Sequence, residues 1–263
     1  MIGGTTQETS QATAYRARFT RLLAPGLPAD RLDRLAWELG LAPATDPAGS
    51  EPLAALVTGS ERNGAGLMDA DALWLPPVAA WIEPPSRTDA SGLARLLADA
   101  AGNDLYLNLT TATAHGLQPG RRLLAALSAR LAPGWALEGD RRDDVELALH
   151  EAVSNALVHG NLGVTAMKEL NARELDRFSR DLNDRLADPV LAARRVVIAL
   201  RIDPAENGRP LVTVEITDEG TGFSPGPRSS SGASGRGLGL IGEIADGLEI
   251  EDGGRRIRLG FRL

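Results

Sequence analysis

The chain contains no cysteine, and of its 28 basic residues only Lys168 is a lysine; aromatic residues make up 4% of its 263 positions. Without thiols there is no disulfide framework, no thiolate zinc site and no cysteine nucleophile. A P-loop needs a lysine inside a glycine-rich loop, and a Schiff-base enzyme needs a reactive one. Lys168 stands in Ala166-Met167-Lys168-Glu169-Leu170, a helical-looking stretch with no glycine loop before it, so both chemistries are disfavoured. No apolar run approaches the roughly 18 residues of a membrane span. The first residues, Met1-Ile2-Gly3-Gly4-Thr5-Thr6-Gln7-Glu8, lack the basic-then-apolar order of a secretion signal. The expectation is a cytoplasmic protein with no membrane association. A formal net charge of −7 also argues against a nucleic-acid partner.

What is present suffices for folding. Hydrophobic residues make up 43% of the chain and charged residues 24%, enough to bury a core in one or two domains. The expected fold class is α/β, with a smaller α/β domain over 1–103 and a second domain over 104–263.

Up to Asn103, Pro and Gly interrupt the chain repeatedly. Between the breaks the patterns predict helices near 11–23, 29–40 and 89–100 and strands near 53–58 and 79–83. Beyond Asp104, Leu105-Tyr106-Leu107-Asn108-Leu109 reads as a strand, and helices are expected near 120–132 and 143–159, the latter stopped by Gly160. Apolar residues at helical spacing predict an amphipathic helix over 165–187. Two strands, 196–200 and 211–216, read as an antiparallel pair. The segment 224–237 is rich in Ser and Gly and reads as a loop. A helix near 238–245 and a hairpin of 248–250 with 257–259 close the chain.

Three local patterns bear on chemistry. Glu151-Ala152-Val153-Ser154-Asn155 puts an acid and an amide on one helical face, with His159-Gly160-Asn161 a turn further on. Asp218-Glu219-Gly220-Thr221-Gly222-Phe223 follows an apolar strand; the carboxylate suits an exocyclic amine, and the glycines admit a flat ring close to the backbone. Gly235-Arg236-Gly237-Leu238-Gly239-Leu240 leads into a helix whose free N–H groups suit phosphate. Each alone has a plain structural reading: a solvated polar stripe, a strand-ending turn, an ordinary helix start. A Rossmann fingerprint is disfavoured, because no strand immediately precedes the third pattern and too little chain follows it.

Together, in this order, the patterns resemble the GHKL (Bergerat-fold) ATPase superfamily over residues 104–263. Glu-Ala-Val-Ser-Asn-Ala-Leu-Val-His-Gly-Asn at 151–161 is most similar to the RsbW-like anti-sigma-factor serine kinases. The resemblance implies an α/β sandwich of the Bergerat type with a mixed sheet, binding ATP and Mg²⁺. It implies that Asn155 ligates the metal and that Glu151 is the catalytic base. Asp218, Gly220 and Gly222 would form the adenine pocket, and Gly235, Arg236, Gly237 and Gly239 would hold the phosphates beneath a lid at 224–237. The implied partners are a STAS-type antagonist and a sigma factor or similar regulator.

The chain departs from the family pattern in four places. Arg255-Arg256-Ile257-Arg258 stands where many members carry a Thr in the final hairpin. The 165–187 helix exceeds the usual short connection, and is either an extra packing helix or an element for docking a partner or a second copy in a homodimer. Residues 1–103 are extra; they are either a degenerate receiver-like domain without an acidic pair or phospho-acceptor Asp, or an unrelated regulatory α/β domain. The histidines, His115, His150 and His159, lack the setting of a phospho-acceptor, His115 being loop-like. The leading expectation is an ATP-dependent serine/threonine protein kinase. The alternatives are a nucleotide-gated binding module without phosphotransfer and a histidine-kinase-like signalling ATPase.

Overall fold

The computed structural model describes residues 14–58, 74–85, 88–132, 134–167, 169, 171–204, 208–223 and 236–263. The chain divides into two compact units, Met1–Asn108 and Leu109–Leu263.

In the first unit, β1 (Arg21–Leu23), β2 (Ala42–Ala44), β3 (Leu53–Leu56), β4 (Val78–Ile82) and β5 (Leu105–Thr110) pair in parallel in the order β2-β1-β3-β4-β5. This is one of the common doubly wound strand orders. Every residue of β3 and β4 is buried, as expected of strands covered on both faces. Helix α1 (Ala29–Leu39) buries Leu32, Ala36 and Leu39 and stops where Gly40 turns left-handed at φ 69°. Helix α2 (Ala90–Ala100) starts where the Asp89 carboxylate accepts the Gly92 N–H at 2.8 Å.

The predicted helix over 11–23 is corrected: a helical turn covers 14–18 and the chain then enters β1. Leu22, Leu23 and Ala24 are buried consecutively, which one face of a helix does not achieve and a central parallel strand does. The segment 105–110, read as the head of the second domain, pairs with β4.

In the second unit, α3 (Thr111–Leu117), α4 (Pro119–Ser128) and α5 (Gly139–Ser154) precede a π-helical segment, Asn155–Asn161. Then come α6 (Ala172–Ala187), the short α7 (Pro189–Ala192), β6 (Arg195–Pro204), β7 (Pro210–Asp218), α8 (Arg236–Ile244), β8 (Gly247–Glu251) and β9 (Arg256–Arg262). The strands pair antiparallel in the order β6-β7-β9-β8. Alternation buries Val196, Ile198 and Leu200 of β6, Val212, Val214 and Ile216 of β7, and Leu259 and Phe261 of β9. Leu123, Leu124 and Leu127 of α4 and Val145, Leu149 and Val153 of α5 supply the helical side of the core.

Three expectations for this unit are corrected. His115 lies in a helix, not a loop: the Thr110 hydroxyl accepts the Thr113 N–H at 3.3 Å to start α3, and Gln118 at φ 49° ends it. Gly160 does not stop α5, because the helix widens at Asn155 and closes i→i+5 bonds, such as Leu162 N–H to the Leu157 carbonyl at 3.0 Å. The 165–187 helix starts only at Ala172, where the Asn171 side chain accepts the Glu174 N–H at 2.9 Å. None of its residues is buried. Among the described residues, no helix is long and apolar enough to cross a membrane.

Candidate functional site

The parity of β7 decides where the Asp218 carboxylate points. Residues 212, 214 and 216 face the core, so Asp218, next in phase at the strand end, turns inward and is 9% exposed. Its Oδ1 accepts the Gly220 N–H at 2.7 Å, and its own N–H donates to the Arg255 carbonyl at 2.9 Å. Gly160, at the π-helical end of the long helix, lies directly against it. A Cβ added at Gly160 would come within 2.6 Å of the Asp218 carboxyl, and one added at Gly220 would overlap the Gly160 carbonyl. The Asp-x-Gly turn and the end of the Glu-x-x-x-Asn helix therefore fit only because both glycines lack side chains.

Burial raises the Asp218 pKa above its ordinary value of 3.8, outweighing the opposing pull of the Gly220 N–H and of Arg255 and Arg194. The native state thus holds this proton more tightly than the unfolded chain. Between the ordinary value and the raised native one, stability falls as pH rises, and above that window the full cost of a buried charge is present. Asp218→Asn keeps an oxygen to accept the Gly220 N–H and carries no charge. Urea unfolding is expected to show the variant at least as stable as wild type at pH 7, with that advantage gone at acidic pH below the window.

Glu151 and Asn155 lie half-buried, one turn apart, where α5 passes into the π-helical segment. Among the described residues neither side chain is engaged in a hydrogen bond or ion pair. The start of α8 packs on this face. A Cβ added at Gly237 would lie 2.7 Å from Glu151 Oε2 and 3.4 Å from Asn155 Nδ2, whereas one added at Gly239 would meet nothing within 4 Å. Gly237 thus brings the third pattern onto the first, while Gly239 occupies the helix with its Cβ position open. Gly235 and the Arg236 side chain, with 224–235 of the expected lid, lie outside the described residues.

Gly237→Ala is expected to move the Glu151 carboxylate, the end of a flexible side chain, rather than the backbone. The melting temperature should change little while the carboxylate is displaced; thermal unfolding and a crystal structure of the variant check this.

The final hairpin holds the end of the Asp-x-Gly-x-Gly turn. Gly222, at φ 70°, lies with its Cβ position over the Gly253 carbonyl, which also accepts the Phe223 N–H at 2.9 Å. Arg255, in the hairpin stretch 255–258 where many members of the resembled family carry a Thr, donates from Nη2 to Asp252 Oδ1 at 2.7 Å. His150 faces elsewhere and lines a shallow depression with Arg121, Asp143, Glu146 and Leu147.

Sequence reasoning assigned no role to Asn161, which is fully buried. Its Nδ2 donates to Thr111 Oγ1 at 2.8 Å and to the Arg195 carbonyl at 2.9 Å, and its Oδ1 accepts the Glu219 N–H at 2.8 Å. A polar residue just past a helix-terminal glycine reads as a loop residue, so nothing in the sequence signalled its burial.

The arrangement therefore comprises an inward carboxylate beside a glycine turn, an acid and an amide on the neighbouring helix, and a glycine-bearing helix start over both. These are the elements of a nucleotide-binding ATPase domain of the α/β sandwich class. The chain belongs to the histidine kinase-like ATPase domain family, whose family model matches residues 113–261. The second unit is consistent with the Bergerat-type fold, and domains of this family bind ATP with Mg²⁺ and serve in signalling. No curated protein is matched by the chain.

Proposed function

We propose that the second unit is an ATP-dependent serine/threonine protein kinase of the anti-sigma-factor type, acting on a STAS-type antagonist with a sigma factor or similar regulator as the output partner. The observation that carries the reading is the approach of Gly237 to Glu151 and Asn155, which joins the base candidate, the metal ligand and the phosphate-binding helix start at one place. The adenine end is Asp218, whose inward carboxylate accepts the exocyclic amine, with Gly220 and Gly222 leaving room for the ring.

The residues fit Mg²⁺. An amide oxygen is a hard ligand, and this ion usually takes one or two protein ligands together with substrate phosphates. Asn155 would hold the ion together with the nucleotide phosphates. When bound, Mg²⁺ supplies charge neutralisation at the phosphates. Glu151 orients the acceptor Ser or Thr hydroxyl and takes its proton as the oxygen forms a bond to the γ-phosphorus and the bond to the β-phosphate oxygen breaks, releasing ADP. The N–H groups at the start of α8 face the phosphates, so the site works without a lysine.

The first unit is proposed as a degenerate receiver-like regulatory domain. Its parallel order β2-β1-β3-β4-β5 supports this. At the carboxyl ends of β1 and β3, where a receiver would carry acids, Thr58 Oγ1 donates to the Pro25 carbonyl at 2.8 Å. The expected role is contact with a regulator rather than phosphorylation.

The kinase reading is tested by incubating the full chain with ATP labelled at the γ-phosphate and a cognate STAS-domain protein. Acid-stable label on Ser or Thr of that partner is expected. Nucleotide binding with no label on the partner would favour the binding module, and acid-labile label on His115 or His150 would favour the histidine-kinase-like reading.

A further inference from the structure

We infer that Asn161 is a positioning residue that sets the adenine end of the site relative to the helix carrying Glu151 and Asn155. The inference rests on the nucleotide reading above. An amide side chain has two N–H donors and one carbonyl acceptor. In Asn161 all are used within a fully buried setting. The donors hold Thr111 Oγ1, at the start of α3, and the Arg195 carbonyl, at the start of β6. The acceptor holds the backbone N–H of Glu219, the residue after Asp218.

The surrounding groups close a ring. The Thr111 N–H donates to the Arg194 carbonyl at 2.8 Å, and so does its hydroxyl at 2.9 Å. Arg194 Nη1 donates to the Asn161 carbonyl at 2.6 Å, and the Arg195 N–H donates to Glu219 Oε2 at 2.7 Å. Three chain segments far apart in sequence are thus tied to one side chain, which meets the segment bearing Asp218 at the Glu219 N–H.

The π-helical turn explains why Asn161 is available for this. A wider turn shifts the residues after Asn155 relative to an α-helical continuation. Here it sets the Gly160 carbonyl over Gly220 and brings the Asn161 side chain to the start of β6 and the end of β7, where it meets the Arg195 carbonyl and the Glu219 N–H. Glu151 and Asn155 lie before or at the start of this turn, and Asn161 ends it. The spacing between the phosphate end and the adenine end is therefore set by the π-turn and fixed by the Asn161 bond to Glu219.

Such a residue acts on base recognition without touching the nucleotide, and this separates it from a residue that only stabilises the fold. Asn161→Ala leaves the Glu219 N–H without its acceptor and loosens the Asp218 turn at that point, while its bonds to Arg255 and Arg195 remain. Affinity for Mg·ADP should fall by about tenfold or more, and the preference for ADP over GDP should shrink by a similar factor, since a polar group released from its partner no longer enforces one hydrogen-bond pattern. Val212→Ala, a core truncation on β7 away from the site, should lower the melting temperature while leaving the ADP-to-GDP ratio at its wild-type value.

The experiment is calorimetric titration of the full-length chain and these variants with Mg·ADP and with Mg·GDP. If wild type binds neither nucleotide, the nucleotide reading itself fails. If wild type binds ADP and Asn161→Ala keeps the wild-type ratio, or if Val212→Ala loses it equally, the positioning role is wrong. Should Asn161→Ala not fold, hydrogen exchange in the wild-type chain carries the test. Mg·ADP is expected to slow the amides of Thr111, Arg195 and Glu219 together, and slowing confined to 218–220 would overturn the inference.

Discussion

Glu151→Ala is expected to lower the rate of phosphoryl transfer to a serine or threonine acceptor by about 10²–10⁴-fold, the range a positioned base contributes. Its affinity for Mg·ADP should stay near that of wild type. The asymmetry follows from where the residue lies. In the proposed site the adenine end would be built from Asp218 and the glycines around it, and the phosphate end from the start of α8, so neither would depend on the Glu151 carboxylate. That carboxylate lies beside Gly237 and, among the described residues, is engaged in no hydrogen bond or ion pair, which leaves it able to accept a proton. Single-turnover transfer with saturating ATP, alongside direct nucleotide titration, measures both halves. Wild-type transfer by the variant would remove Glu151 from the base role; loss of nucleotide binding would show that it holds the nucleotide instead.

The second large effect is on stability. Gly220→Ala would drive a methyl group into the Gly160 carbonyl and to 2.8 Å from Asp218 Oδ1. Neither neighbour yields easily, because one is backbone of the π-helical turn and the other is a buried carboxylate already bonded to the Gly220 N–H. Overpacking of this kind costs about 2–3 kcal/mol, which corresponds to a fall in melting temperature of roughly 5–10 °C for a unit of this size. Gly239→Ala is the contrasting case. Its Cβ meets nothing within 4 Å, and alanine in place of glycine inside a helix stabilises by up to about 1 kcal/mol. Thermal unfolding of the two variants beside wild type checks the pair. Equal melting temperatures for wild type and Gly220→Ala would contradict the close packing of the Asp218 turn on the helix end.

What was legible in the sequence was periodic. The alternation through 211–216 places β7 and, carried on by one step of two, turns Asp218 inward; the four-residue spacing places Glu151 and Asn155 on one face. What was not legible depends on contacts distant in sequence. The π-helical widening after Ser154 leaves no mark in the pattern of residue types, since Ala156 and Leu157 suit an α-helix equally well, and it takes the packing of Gly160 on Asp218 to select it. Asn161 looks like a loop residue until β6 and β7 supply the groups that its amide satisfies. In the first unit, Leu22 and Leu23 read as the end of a helix over 11–23, and only burial between β2 and β3 makes them a strand. The hairpin turn at Asp252-Gly253-Gly254 was recognised, but its grip on Gly222 and Phe223 needed the fold.

In the proposed reading the long helix, the Asp218 turn and the glycine-bearing helix start form one Mg²⁺-dependent adenine-nucleotide site. Titration of the full-length chain with ADP, in the presence and absence of Mg²⁺, tests it most directly. Saturable one-to-one binding is expected that is tighter with Mg²⁺, weakened in Asn155→Ala mainly when Mg²⁺ is present, and weakened in Asp218→Asn whether or not the ion is there. Absence of binding by wild type, or binding that neither substitution alters, would contradict it.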